Sequence, residues 1–371
     1  MSRFASRLFV LRRLALQALD PRNWTRRRPI AEPRRILILH HLLLGDTLML
    51  TPLLAKLAAQ YPQAERYLAC PQAIAPLYAG QVFGIRPLPW HPRKGDIAAL
   101  RAAAPFDLVI IPAENRFSPL ARALGARQVL AFANDKPAWK NWLVDTARPL
   151  PSTPAAFGDF CAELIAGEAP TPYQSTDWPL PPSKPFDRPA SPYAVLHLGA
   201  STPLKHWPAE RWLALADWLA AQGITPVWSA GAKELDLVQQ ADPQGRYPSS
   251  AGQLDLPQLA SLLQHARLAV CPDTGVTQLA RTVGVPTIAL FGPGSATFAG
   301  TGQYWRNSPF TALSINIACR DQHMIFRRKT DWIQRCTRGF GEGTNQCARA
   351  LCMEGITLAA VQEACTHWLE A

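Results

Sequence analysis

From Arg34 onward the chain alternates short apolar runs with longer segments of helical period. Ile36 to Leu39 is a compact run of Ile and Leu behind Arg34-Arg35, the pattern of a strand buried on both faces. Gly45-Asp46 ends it, and TLMLTPLLAKLAAQYP then spaces its leucines as a helix does. The same alternation predicts strands at 107–112 and 128–132 with a helix over 119–124 between them. From Glu168 to Pro192 eight residues in 25 are proline, which predicts a linker. Beyond it, strands at 193–198, 225–229, 268–271 and 287–291 alternate with helices at 207–221, 255–265 and 277–283. Repeated strand–loop–helix units predict an α/β fold of two Rossmann-like domains, with parallel sheets facing across a cleft. The expected division is an N-terminal arm at 1–33, a first domain at 34–167, the linker at 168–192 and a second domain at 193–371. Open α/β sheets bind ligands at the carboxyl ends of their strands, so the loops there are the places to look for chemistry.

The arm has its own pattern. In FASRLFVLRRLALQAL, Phe4, Leu8, Leu11, Ala15 and Leu19 recur at helical spacing, with Arg3, Arg7, Arg12 and Arg13 on or beside the opposite face. Its uncharged run is far short of the roughly 20 residues that span a bilayer. Charge sharpens this picture. The chain of 371 residues carries +11, and residues 1–35 alone hold ten arginines against Asp20 and Glu32. The basicity therefore belongs to the arm. A basic amphipathic helix suits the anionic cytoplasmic surface of a membrane; the alternative is an ordinary helix packed on the body with a solvated Arg face. No nucleic-acid recognition motif accompanies the charge, so a nucleic-acid partner is not expected. With no export signal, reduced thiols or a metal site are expected for the eight cysteines rather than disulfides.

Three segments place chemistry at strand ends. In LLLGDTLMLTPLL, Gly45 permits a tight turn close to a ligand and Asp46 follows at the strand end; Asp also simply caps helices. In LHLGASTPLKHWPAERW, Ser201 and Thr202 supply hydroxyls with room for phosphate oxygens, and Lys205 a compact positive charge. Trp207 reads as a core plug. In AVCPDTGVTQLARTVGVPTIALFGP, Asp273-Thr274-Gly275 closes a strand and opens a helix, whose N-terminus favours a phosphate.

Taken in this order, these segments, together with SAGAKE, resemble family 9 glycosyltransferases, the ADP-heptose heptosyltransferases of lipopolysaccharide inner-core assembly, over about residues 34–365. The resemblance implies the GT-B fold, with the sugar nucleotide on the second domain and the acceptor on the first. It implies Asp46 as general base, Thr202 and Lys205 at the phosphates, Asp273, Thr274 and Gly275 around diphosphate and sugar, and Glu234 at the ribose. The sequence departs from the family at Gln278, where the pattern Asp-Thr-Gly-x-x-His has its histidine. It departs again at His40-His41 before Gly-Asp, where polar or Arg residues are usual; His41 is a candidate for the cleft, with a satisfied strand-end histidine as the alternative.

The reaction implied is inverting transfer of a heptose or related sugar from an ADP-activated donor to a lipopolysaccharide core or other glycan, on a lipid-linked acceptor. Asp46 takes the acceptor proton, and Lys205 with the Thr274-Gly275 helix start holds the leaving diphosphate. None of the 16 aspartates form Asp-x-Asp, so no catalytic cofactor is expected. Cys319, Cys336, Cys347 and Cys352, in an excursion at 319–352, can hold a structural Zn or Fe. The resemblance supports this, because related autotransporter heptosyltransferases use a four-cysteine iron site; reduced thiols are the alternative. Two other functions stay open: transfer to a protein acceptor, and a catalytically quiet nucleotide-sugar-binding partner at the membrane. The expected location is cytoplasmic, peripheral on the inner membrane face.

Overall fold

A computed structural model describes residues 3–19, 30–190 and 192–371. The sequence expectations for Asp20, Arg22, Arg26, Arg27 and Arg28 lie outside the described residues. The chain forms two compact units, one of residues 1–43, 50–171 and 324–331, the other of 44–49, 172–323 and 332–371.

The first unit opens with helix α1 (Arg3–Ala18) and strand β1 (Arg35–Leu39). The apolar segment after β1 is not one helix. It splits into a short α2 (Leu44–Leu48), which belongs to the second unit, and α3 (Thr51–Gln60), with Pro52 in its first turn. There follow β2 (Glu65–Cys70), β3 (Ile85–Pro89), α4 (Ala98–Ala103), β4 (Leu108–Ile111), α5 (Ser118–Ala123), β5 (Gln128–Phe132), β6 (Thr146–Arg148) and α6 (Phe157–Ala162). The six strands are parallel in the order β3-β2-β1-β4-β5-β6, a doubly wound order whose switch point lies between β1 and β4. Ile36 to Leu39 and Leu108 to Ile111 are buried throughout, as the uninterrupted runs predict.

The N-terminal helix docks on this unit, but not by the stripe its spacing suggests. Gln17 Nε2 donates to the Arg122 carbonyl at 2.8 Å, Arg13 Nε donates to the Ala123 carbonyl at 3.3 Å, and Arg101 sits 4.7 Å over the Phe9 ring. Phe4, Leu8, Leu11 and Leu19 point away and are exposed.

The second unit adds β7 (Tyr193–His197), α7 (Ala209–Ala221), β8 (Thr225–Ser229), α8 (Leu235–Ala241), α9 (Leu256–Gln264), β9 (Leu268–Pro272), α10 (Gly275–Thr282), β10 (Thr287–Phe291) and β11 (Phe310–Ser314). Its parallel sheet runs β11-β10-β9-β7-β8, the other doubly wound order, with the switch point between β7 and β9. Trp207, Trp212 and Trp228 fill its core; Trp207 Nε1 donates to the Ile356 carbonyl at 2.8 Å, the plug role the sequence suggests. The proline-rich segment differs from a free linker: Tyr173 and Trp178 are buried, and Tyr173 N donates to the Tyr304 carbonyl at 2.8 Å. Its prolines supply few backbone donors, and its aromatic residues supply the packing.

The cysteine-rich excursion carries β12 (Met324–Ile325), β13 (Arg328–Lys329), β14 (Gly339–Phe340) and β15 (Gln346–Cys347), followed by α11 (Leu351–Glu354) and α12 (Leu358–Glu370). Its hairpin at 324–331 belongs to the first unit, pinned there by Arg328.

Candidate active site

The site grows from the switch point of the second sheet. The loop after β7 turns through Gly199-Ala-Ser201 to a helical turn at Pro203–Lys205, where Thr202 caps the turn by accepting from Leu204 N at 3.4 Å. The loop after β9 delivers Asp273 and Thr274 directly into α10. These two loops meet: Lys205 Nζ donates to the Asp273 carbonyl at 2.6 Å and to Asp273 Oδ2 at 2.9 Å. Two strands that part at a switch point leave a notch between their following loops, so the juxtaposition follows from topology.

Asp46 joins them through α2. A Cβ on Gly275 would lie 2.8 Å from Leu44 Cβ and 3.0 Å from Gly45 N, so the two helix starts touch backbone to backbone. Glycine at 45 and 275 is what permits that approach, and it explains why residues 44–49 fold with the second unit. The Asp46 carboxyl is pushed up to about 6, first by burial and then by the Asp273 charge, against the pull of Lys205 and Arg335. A carboxylate poised there can take a proton near neutral pH. Thr274 forms a capping box with Thr277 at the start of α10, its Oγ1 buried at the helix N-terminus.

Glu234 lies in the loop after β8, immediately before α8. Its Oε2 accepts from Gly231 N at 2.9 Å and lies over Gly199, where a Cβ would come within 2.1 Å of it. Ser201, in the loop after β7, is exposed. Gln278 is different. It is buried, its Nε2 donates to the Ala299 carbonyl at 3.0 Å, and its Oε1 accepts from Arg281, so both ends of the amide are spent on the fold. A cavity of about 500 Å³ lined by His206, Trp207, Arg211, Gln240 and Arg349 flanks the Lys205 loop and includes neither Asp46 nor Glu234.

His41 lies in the first unit, at that sheet's own switch point. Its ring packs edge-on to His91 at 4.6 Å, and it lines a small pocket with Glu114, Arg116 and Phe326. Burial, then the neighbouring His91, pulls its pKa down. Its neighbour His40 is fully inside, its pKa lowered to about 3 by burial, and its Nδ1 accepts from Leu42 N.

The four late cysteines are not gathered into a site. Among the described residues no three His, Cys, Asp or Glu side chains are grouped to hold an ion. Cys347 Sγ donates to the Arg349 carbonyl, Cys336 Sγ accepts from Arg338 N, and Cys352 is buried near Cys319. A structural tetrahedral site needs four converging ligands, such as thiolates or imidazoles. Two residues escaped the sequence reading. Gly294 makes room for Asp273 Oδ2, which a Cβ there would meet at 2.1 Å, and Arg335 bears on the Asp46 charge. Gly294 carried a signal in the FGPG turn; Arg335, in an irregular loop, carried none.

With this geometry in view, likeness to known proteins can be set beside it. Residues 168–334 match Glycosyltransferase family 9 (heptosyltransferase). That match covers less than half of the chain and is mainly a likeness of its second unit. It is 33% identical to lipopolysaccharide heptosyltransferase 1 of Pseudomonas aeruginosa over 146 residues, 36% of this chain and 40% of that protein, so the match spans less than half of that relative. In fold it is similar to E. coli ADP-heptose lps heptosyltransferase II, at 19% identity and a TM-score of 0.64, covering 91% of this chain and 98% of the other. It is also similar to the iron-containing dodecameric glycosyltransferase TibC from enterotoxigenic E. coli, at 15% identity and a TM-score of 0.57, covering 93% and 80%. These likenesses establish the GT-B fold class of paired Rossmann-like units for the chain.

Proposed function

We propose that the protein is an inverting glycosyltransferase that moves a heptose or related sugar from an ADP-activated donor to a lipopolysaccharide core or another lipid-linked glycan, working at the cytoplasmic face of a membrane. The observation that carries this reading is the convergence of Asp46, Lys205, Asp273 and the start of α10 at one switch point. The acceptor hydroxyl gives its proton to Asp46 as its oxygen bonds the anomeric carbon. The bond from that carbon to the diphosphate breaks, and ADP leaves with the electron pair. Lys205 exchanges Asp273 for the departing phosphate oxygens, and Thr274 with the first amides of α10 supplies the remaining donors. Glu234, whose carboxylate lies over Gly199, accepts the ribose hydroxyls, while Ser201 and Thr202 border the phosphates.

Calorimetry with ADP tests the placement of the diphosphate. Lys205→Ala removes a charge-assisted donor worth about 1.5–3 kcal/mol, so ADP affinity should fall roughly ten- to hundredfold. An unchanged affinity would move the diphosphate elsewhere. Incubating the protein with ADP-, UDP- and GDP-linked sugars and a soluble core fragment should give product only with the ADP donor; product from a UDP or GDP sugar alone would overturn the donor class.

A further inference from the structure

α1 presents two unlike long faces. Ser6, Phe9, Val10, Leu14 and Gln17 turn toward the first unit, with Ser6 Oγ donating to the Gly95 carbonyl and Gln17 to the Arg122 carbonyl. At about 100° per residue, Phe4, Leu8, Leu11, Ala15 and Leu19 form a stripe diametrically opposite. That stripe is bare: Phe4 is 74% exposed, Leu11 65% and Leu19 78%. Arg7 and Arg12 are exposed along its two borders, and the helix contains no acidic residue. An isolated exposed leucine needs no explanation, whereas an ordered apolar row rimmed by polar residues marks an interaction surface.

We propose that this stripe is the face by which the protein inserts into an anionic lipid bilayer, the aromatic and leucine side chains entering the headgroup–acyl boundary while Arg7 and Arg12 meet lipid phosphates. The inference rests on the membrane partner proposed above and gives it a surface. Charge selects the occupant. A second copy laid face to face would bring arginine rims together with no carboxylate on either helix, whereas a lipid phosphate supplies the opposite charge. No described helix is long and apolar enough to cross a membrane, so the contact is interfacial. Because α1 is fastened to the body by Gln17, Arg13 and Phe9, insertion would fix the orientation of the first unit at the surface rather than tether it loosely.

The test is co-sedimentation of the full chain with phosphatidylglycerol–phosphatidylethanolamine vesicles and with phosphatidylcholine vesicles, at low and high salt. Leu8→Gln with Leu11→Gln should lower partitioning at least tenfold on both, while melting temperature and transfer to a soluble acceptor fragment stay as in the parent. Arg7→Gln with Arg12→Gln should reduce the preference for anionic vesicles and weaken its salt dependence. A parent protein that does not pellet with anionic vesicles overturns the proposal, as does a glutamine variant that pellets equally well. So does a concentration-dependent dimer that the Leu variants abolish, which would give the stripe to a second copy. Vesicle binding without any sugar transfer would sink the enzymatic reading and leave this surface intact.

Discussion

Asp46→Asn should lower turnover by about 10²–10⁴, the usual share of a general base, while ADP binds as before. Asparagine keeps the shape and the turn after Gly45 but cannot take a proton. The pH profile is the sharper readout. With the carboxyl pushed up to about 6 by burial and by Asp273, kcat of the parent should rise about tenfold per pH unit below that value and level above it. The variant should lose this limb. The stability sign runs the other way. A carboxyl whose folded pKa is raised favours the folded state while protonated, and that contribution is lost as pH climbs from about 4 through about 6. At pH 8 the Asn variant should therefore melt no lower than the parent, and somewhat higher if the buried charge is costly. Single-turnover transfer from pH 5 to 8, beside melting curves, checks both. A variant with normal turnover but reduced stability would reassign Asp46 to helix capping.

The legible part of the molecule was the part written in continuous apolar runs. β1, β4, β5 and the strands of the second sheet through β10 are buried on both faces, and each run announced itself. β3, with its sequence IRPLP, and β11, with polar and apolar positions mixed at the sheet edge, carried no such signal. The site was legible where a strand end coincides with a small residue and a charge, as at Gly45-Asp46, Lys205 and Asp273-Thr274-Gly275. Which unit Asp46 folds with was not, because that depends on a backbone contact between Gly45 and Gly275 distant in sequence. The α1 stripe was seen as a stripe, but its direction was set by Ser6, Phe9 and Gln17, whose partners lie roughly a hundred residues away. Gln278 looked like a site residue by position, and its amide is instead consumed by Arg281 and the 299–300 loop.

Arg328→Met should be the most destabilising single change in the first unit. The hairpin turns through Phe326 and Arg327, both at positive φ, and then buries the Arg328 guanidinium. Nε donates to the Ala133 carbonyl at 2.7 Å, Nη1 to the Ala113 carbonyl at 3.0 Å, and Nη2 to the Phe132 carbonyl and Asn115 Oδ1 at 3.1 Å each. Asp135, fully buried, balances the charge at 3.8 Å and holds Lys140 at 3.2 Å. These acceptors lie at the carboxyl ends of β4 and β5, so one side chain ties the excursion to the rim that also carries the His41 pocket. Methionine fills much of the volume and donates nothing, leaving the Ala113, Phe132, Ala133 and Phe326 carbonyls each short of a donor and Asp135 with one cation fewer. Removing one partner from a buried charged network costs about 3–5 kcal/mol. In a unit of this size that is roughly 6–20 °C in melting temperature. Arg328→Lys should recover little, since a single ammonium cannot reach carbonyls spread around a planar fork. Differential scanning calorimetry should show the loss in one transition, with ADP binding to the second unit retained below it. A Met variant that melts within about 2 °C of the parent would mean the hairpin is held by Phe326 against Phe157 rather than by the guanidinium.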